Sequence, residues 1–295
     1  MFIFLSLLAG IVYLCVNFAD KAIVSKYVQD WRVAVLFGST AGGVFALCVL
    51  PFRQGDITPQ YALLIVFSGI VLWLGYFLYW KAIADTGAIF VTIVLQLSPV
   101  ATLVLGYFIL GEVLSTRALL GFVLILFATV AFSLKKGALK VFLPQPFFLV
   151  LASSVLLGLA AVIAKDAIAH TDVLTATAWE AVGVFLAGLA AVLVSKTMRR
   201  DFITTLKADF GLPLVFVFAT EAVYLASRFI SYAATQLGAV AIERVLEGAR
   251  IFFAFIFGLI LSKTLPSVYA KEEQEITLWK VILAAILLVG IYLVS

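Results

Sequence analysis

Apolar stretches of roughly 20 residues, each long enough to cross a bilayer core of about 30 Å as a helix, recur ten times along this chain. They fall at 4–27, 31–51, 59–82, 86–110, 115–134, 146–168, 174–195, 211–234, 238–262 and 277–294. Inside lipid the backbone has to satisfy its own hydrogen bonds, so only helices and closed barrels span. These stretches lack the period-2 alternation of barrel strands, which excludes a barrel. Composition agrees: 65% of the 295 residues are hydrophobic, 12% are charged, and mean hydropathy is +1.21. A soluble domain of that length could not cover so much apolar surface. The expected fold is therefore an all-α polytopic membrane protein with ten transmembrane helices. The opening MFIFLSLLAGIVYLCV lacks the basic segment of a cleavable signal and is read as a retained first helix.

Most connections are very short, as in VQD, ADTG and QLG. The two longest, KKGALKVFLPQP (135–146) and SKTMRRDFITTLKADFG (195–211), are read as loops. The net charge of +4 is spread over many of them, with no basic run to suggest nucleic acid. Cys15 and Cys48 lie inside apolar segments and are read as packed thiols. A single histidine, His170, and no Cys/His cluster argue against zinc. No Ser/His/Asp set suggests an enzyme, and no pattern calls for a cofactor.

The chain repeats itself. KAIADTGAIFVTIVLQLSPVATLVLGYFILGE (81–112) aligns with YAATQLGAVAIERVLEGARIFFAFIFGLILSK (232–263) at a constant offset. Gly87 falls on Gly238, Val94-Leu95 on Val245-Leu246, and Gln96 on Glu247. Upstream, NFADKAI (17–23) resembles AVIAKDAI (161–168), which sets Lys21 against Lys165. Two five-helix halves follow, 1–138 and 146–295, with an insertion VYAKEEQEITL in the second. Five is odd, so the second half lies inverted, the layout of many secondary carriers whose site sits at the repeat interface near the midplane.

The pattern GAIF…LSPV…LGE between Gly87 and Glu112, with LLGFVLILFATVAFSL (119–134) after it, resembles the EamA-type members of the drug/metabolite transporter superfamily. The resemblance implies a transporter of amino acids, drugs, nucleotide sugars or other metabolites, built as two repeats. Family members carry a proline near the middle of helices four and nine. Pro99 is present here, but its counterpart is Arg250, and the second GE is Ser262-Lys263.

The charged residues of the eighth and ninth stretches narrow the function. Glu243, Arg244, Glu247 and Arg250 precede an apolar tail of only eleven residues, Ile251 to Leu261. That tail rises about 17 Å, too short for the core, so the charges lie within the membrane. The preceding stretch carries Glu221, Tyr224 and Arg228. Each unpaired charge there would cost about 3 kcal/mol or more, so the six are expected to pair, as Glu221–Arg250 and as Arg228 with Glu243 or Glu247. One reading makes them a lock between two helices. The other makes them the lining of a solute cavity, with Glu247 as a proton carrier. Trp73 and Tyr76, sharing a face with Trp80, are candidates for stacking on a solute, and Gln96 and Asn17 for hydrogen-bonding it. Lys21 and Lys165 are read as snorkelling anchors, and Glu180 as a carboxylate that favours its helix N-terminus.

The expectation is a carrier of small polar or charged metabolites such as amino acids or organic ions. It works by alternating access as an exporter, with protons as candidate coupling ion and the lipid bilayer as its surroundings, in a bacterial inner (plasma) membrane. The alternative is a lipid or headgroup flippase in which the charged helices are structural. Lysines and arginines concentrate on the loops opposite the termini, which by the positive-inside rule puts both termini outside, against the layout the resemblance implies.

Overall fold

A computed structural model of the chain describes residues 1–23, 28, 30–52, 57–86, 94–133, 144–208, 211–253, 256–257 and 278–295. Among them the chain is all helix and turn, without a strand. The α-helices are α1 (Phe2–Ala22), α2 (Trp31–Val49), α3 (Pro59–Thr86), α4 (Ser98–Leu110), α5 (Thr116–Ser133), α6 (Pro144–Ile168), α7 (Val173–Val194), α8 (Lys196–Ala208), α9 (Leu212–Thr235), α10 (Val240–Gly248) and α11 (Leu278–Val294). Six of them (α1, α2, α3, α6, α7 and α9) are long and apolar enough to cross a membrane, and α4, α5 and α11 contain shorter apolar helices. Residues 135–143 of the linker between the expected repeats, 268–277 of the expected insertion and Ser262-Lys263 lie outside the described residues, as do residues 87–93 of the fourth stretch.

The ends of the helices follow from side-chain chemistry. The Asp30 carboxylate accepts the Arg32 N–H (2.9 Å) at the start of α2, and Asp172 accepts the Thr175 N–H (2.9 Å) at the start of α7. Pro99 and Pro213 occupy first turns, where a missing N–H costs nothing. One expected loop is a helix: α8 buries Met198 against its neighbours and turns Lys196, Arg199, Arg200 and Lys207 outward. Its period-3.6 spacing of Met198, Phe202 and Leu206 carries that signal, in a segment too polar to span.

The helices pair mostly across the two halves. α3 packs on α6 and α7, α2 on α7 and α9, α5 on α11, α1 on α9 and α10, and α4 on α6 and α10. This set of pairs maps onto itself when α1–α5 are exchanged in order for α6, α7, α9, α10 and α11. The closest approach is at α3 and α7. A methyl group at Gly69 would lie 2.2 Å from the Glu180 carbonyl oxygen, and one at Gly183 would lie 2.1 Å from that of Val66. Small residues let backbones meet where lipid offers no hydrophobic driving force between helices. Cys15 and Cys48 are on outward faces rather than packed inside, since neither helix turns that face to a neighbour.

The expected continuous stretch at 238–262 is interrupted. α10 closes at Gly248, a turn forms at Ala249, and helix resumes at 250–253. Both Ala249 and Phe252 donate three residues back instead of four. The first half breaks near the aligned position too. Leu97 donates to the Val94 carbonyl across a turn at Gln96-Leu97, and α4 starts afresh at Ser98.

Candidate functional site

The two interruptions face each other. A methyl group on Gly248 would meet the Gln96 side-chain oxygen at 3.1 Å, so the broken α10 rests on the break before α4. Backbone irregularity at membrane depth is tolerated where it lines a cavity. Here it does: a cavity of about 340 Å³ opens beside it. Tyr13 and Asn17 of α1, Tyr76 and Tyr79 of α3, Gln96 and Pro99 at the first break, and Arg244, Glu247 and Arg250 at the second line it.

Glu247 is shared by two arginines. Arg244 Nη1 donates to Oε2 and Arg250 Nη1 to Oε1, both at 2.8 Å. The Arg250 guanidinium also lies 4.3 Å over the Tyr13 ring. At 29% it is more exposed than the side chains of Arg244 (15%) or Glu247 (12%). Arg250 spends one N–H group on Glu247, and its others have no hydrogen-bond partner among the described residues. Behind this pair Glu243 is fully buried. Ser231 donates to its Oε1 at 2.6 Å, and Arg244 Nε stands 3.7 Å from its Oε2.

The expected pairs differ from those formed. Arg228 pairs neither with Glu243 nor with Glu247 but with Glu180 of α7: Nε donates to Oε2 at 2.9 Å and Nη2 to Oε1 at 2.7 Å. Tyr232 completes the unit, accepting from Arg228 at 3.0 Å and donating to Glu180. The expectation that Glu180 serves its helix N-terminus does not hold: it stands more than two turns past the Asp172 cap, beyond the unpaired N–H groups of the first turn. The signal was there: Glu180 lies eight residues beyond Asp172, Arg228 eight before Gln236, and both of those turns are at the same end of the bundle. Arg228 and Glu243 line neither of the two cavities described, so the intramembrane charges divide into a sealed bracket and an open wall.

Glu221 likewise does not meet Arg250. It turns to α2, where methyl groups on Gly38 and Gly42 would lie 3.5 and 3.2 Å from its carboxylate oxygens. It lines a second cavity of about 110 Å³ with Trp73, Trp80 and Tyr224. Tyr13 and Tyr76 border both cavities, and their hydroxyls are 3.0 Å apart. Trp73 is fixed by an Nε1–H donation to Ser39 at 2.7 Å. Lys165 is not free to snorkel: it pairs with Glu112 and donates to the Gly238 carbonyl. Glu112 in turn accepts the Val240 N–H at 3.2 Å, capping α10. Gly111, in left-handed conformation (φ 67°), turns Glu112 back toward it, which is what the LGE sequence accomplishes. The Lys21 side chain lies outside the described residues.

Comparison with known proteins bears out the resemblance. Residues 1–134 match the EamA-like transporter family. No match is found among curated proteins. Among 26 matching solved chains, one described as "Crystal structure of protein" is 14% identical and has a TM-score of 0.69. The match covers 100% of this chain and 97% of that one. At that identity it shows the fold alone.

Proposed function

We propose that this chain, whose residues 1–134 match the EamA-like transporter family, is a membrane transporter of the drug/metabolite type that moves small solutes bearing an anionic or strongly polar group. One observation carries the reading. Arg250 stands at the wall of the larger cavity with a single carboxylate contact and N–H groups to spare. A guanidinium in that state is a carboxylate or phosphate receptor waiting in a low-dielectric site. An entering anion takes Arg250 from Glu247, and Arg244 retains the freed carboxylate. Gln96 and Asn17 supply neutral hydrogen bonds.

The two repeats, 1–138 and 146–295, act as inverted five-helix units that rock about this site, giving alternating access with ten spanning helices. The exchange symmetry of the helix pairs supports that division, as do the matched breaks at Gln96 and Ala249. Export from the cell is the proposed direction and the bacterial inner membrane the proposed location. Freeing one oxygen of Glu247 also makes that carboxylate the proposed site of proton coupling.

Counterflow in liposomes reconstituted with the purified protein tests this. Amino acids, dicarboxylates, phosphorylated sugars and quaternary amines are offered in turn. An anion-bearing solute is expected to exchange, with Arg250→Gln abolishing exchange and Glu247→Gln removing its pH dependence. Exchange restricted to solutes without an anionic group, or retained in Arg250→Gln, overturns the reading.

A further inference from the structure

The second cavity has the opposite charge character from the first. Asp20 of α1 and Glu221 of α9 both line it, and neither makes a hydrogen bond or ion pair among the described residues. Glu221 is seated on the glycine face of α2, which leaves room for its carboxylate, with no cationic partner among the described residues. Around the two acids stand Trp73, Trp80, Tyr13, Tyr76 and Tyr224. The Tyr224 hydroxyl is buried with no hydrogen-bond partner, although its ring is held between Tyr13 (5.9 Å) and Tyr76 (6.1 Å). A buried hydroxyl left unpaired this way is costly unless something else accepts or donates there.

We propose that this cavity is a binding subsite for an organic ammonium group, with Asp20 and Glu221 as its counter-charges and the aromatic rings as its walls. Two carboxylates ionised within an apolar membrane region call for a cation, because an unpaired charge there is costly. The wall decides which kind. A calcium or magnesium ion wants six or more oxygen ligands, and no group of three or more His, Cys, Asp or Glu side chains that could hold a metal occurs among the described residues. Indole and phenol faces recognise alkylammonium ions through their quadrupoles. A space of about 110 Å³ admits an ammonium head with a short alkyl chain. The subsite is separated from Arg250 by the Tyr13–Tyr76 contact, and it stands whether or not the anion site above does.

Trp73 and Trp80 make the test direct, since both report from the wall. Purified protein is titrated with butylammonium chloride while tryptophan fluorescence is followed, with 1-butanol and sodium butyrate in parallel. Butylammonium is expected to give a saturable change that 1-butanol does not. Asp20→Asn and Glu221→Gln are each expected to weaken it by about thirtyfold, the loss typical of removing one partner of a buried charge pair. Glu112→Gln, a carboxylate outside both cavities, is expected to leave it intact. Gly42→Ala keeps both charges but puts a methyl group 3.2 Å from Glu221 Oε1, so it too is expected to weaken binding, even if the carboxyl variants fail to fold. An equal response to 1-butanol, no saturable response to butylammonium, or wild-type affinity in a folded Asp20→Asn/Glu221→Gln double variant overturns the proposal. Butyrate binding that persists through any of these results leaves the Arg250 reading untouched.

Discussion

Glu180→Gln removes the charge of the only carboxylate that Arg228 contacts among the described residues. Both side chains are almost wholly buried, at 5% and 3% exposure, and neither borders a cavity described here. Two unit charges about 4 Å apart attract by about 4 kcal/mol at an effective dielectric constant of about 20. That agrees with the ~3–5 kcal/mol measured when one partner of a buried pair is lost. Tyr232 remains as an acceptor at 3.0 Å, which holds the cost within that range rather than above it. At roughly 2–4 °C per kcal/mol, the melting temperature is expected to fall by about 10 °C. Thermal unfolding of the purified protein in one detergent, followed by size-exclusion chromatography after heating, measures it. The double variant Glu180→Leu/Arg228→Met replaces the pair by apolar groups and is expected to recover more than half of the loss. A Glu180→Gln variant as stable as the parent refutes the reasoning. So does a double variant less stable than the single one, because the pair would then contribute more than its own desolvation costs.

Other outcomes follow from the same geometry. Gly183→Ala is expected to eliminate folded protein or cost several kcal/mol, since its methyl group would sit 2.1 Å from the Val66 carbonyl oxygen; normal yield and melting temperature on a fluorescence-detected column would contradict this. Glu112→Ala loses the Val240 cap and the partner of Lys165 and is expected to cost about 1–2 kcal/mol, read as a thermal shift. Tyr13→Leu keeps apolar bulk but removes the ring under Arg250 and the hydroxyl facing Tyr76. It is expected to weaken solute exchange about tenfold with little change in stability, and unchanged exchange would contradict the part given to Tyr13. A phosphatase fused after Ser295 is expected to be active and a fluorescent protein there dark, as the distribution of lysines and arginines requires; the reverse pattern would put the termini inside.

Much of this protein is determined by its sequence alone. Apolar lengths place the helices within a residue or two where α2, α6, α7 and α9 are concerned, because a bilayer imposes one length and one way of satisfying the backbone. The alignment of Gln96 with Glu247 picks out two positions that line the same cavity. It also follows from sequence that the charges of 221–250 cannot face lipid. Which carboxylate meets which arginine does not follow. Depth arguments put Glu243 and Glu247 within reach of Arg228 and Glu221 within reach of Arg250, and the choice of Glu180 depended on how α7 is rotated against α9. That rotation is set by the backbone contact of Gly69 with Gly183, far along the chain from Arg228. The turn at Ala249, which swings Arg250 onto Glu247 and Tyr13, and the glycine notch that draws Glu221 away toward α2 are likewise products of helices packed together. The sequence states the charges and their depth; only close packing, where a single methyl group decides whether two backbones touch, selects their partners.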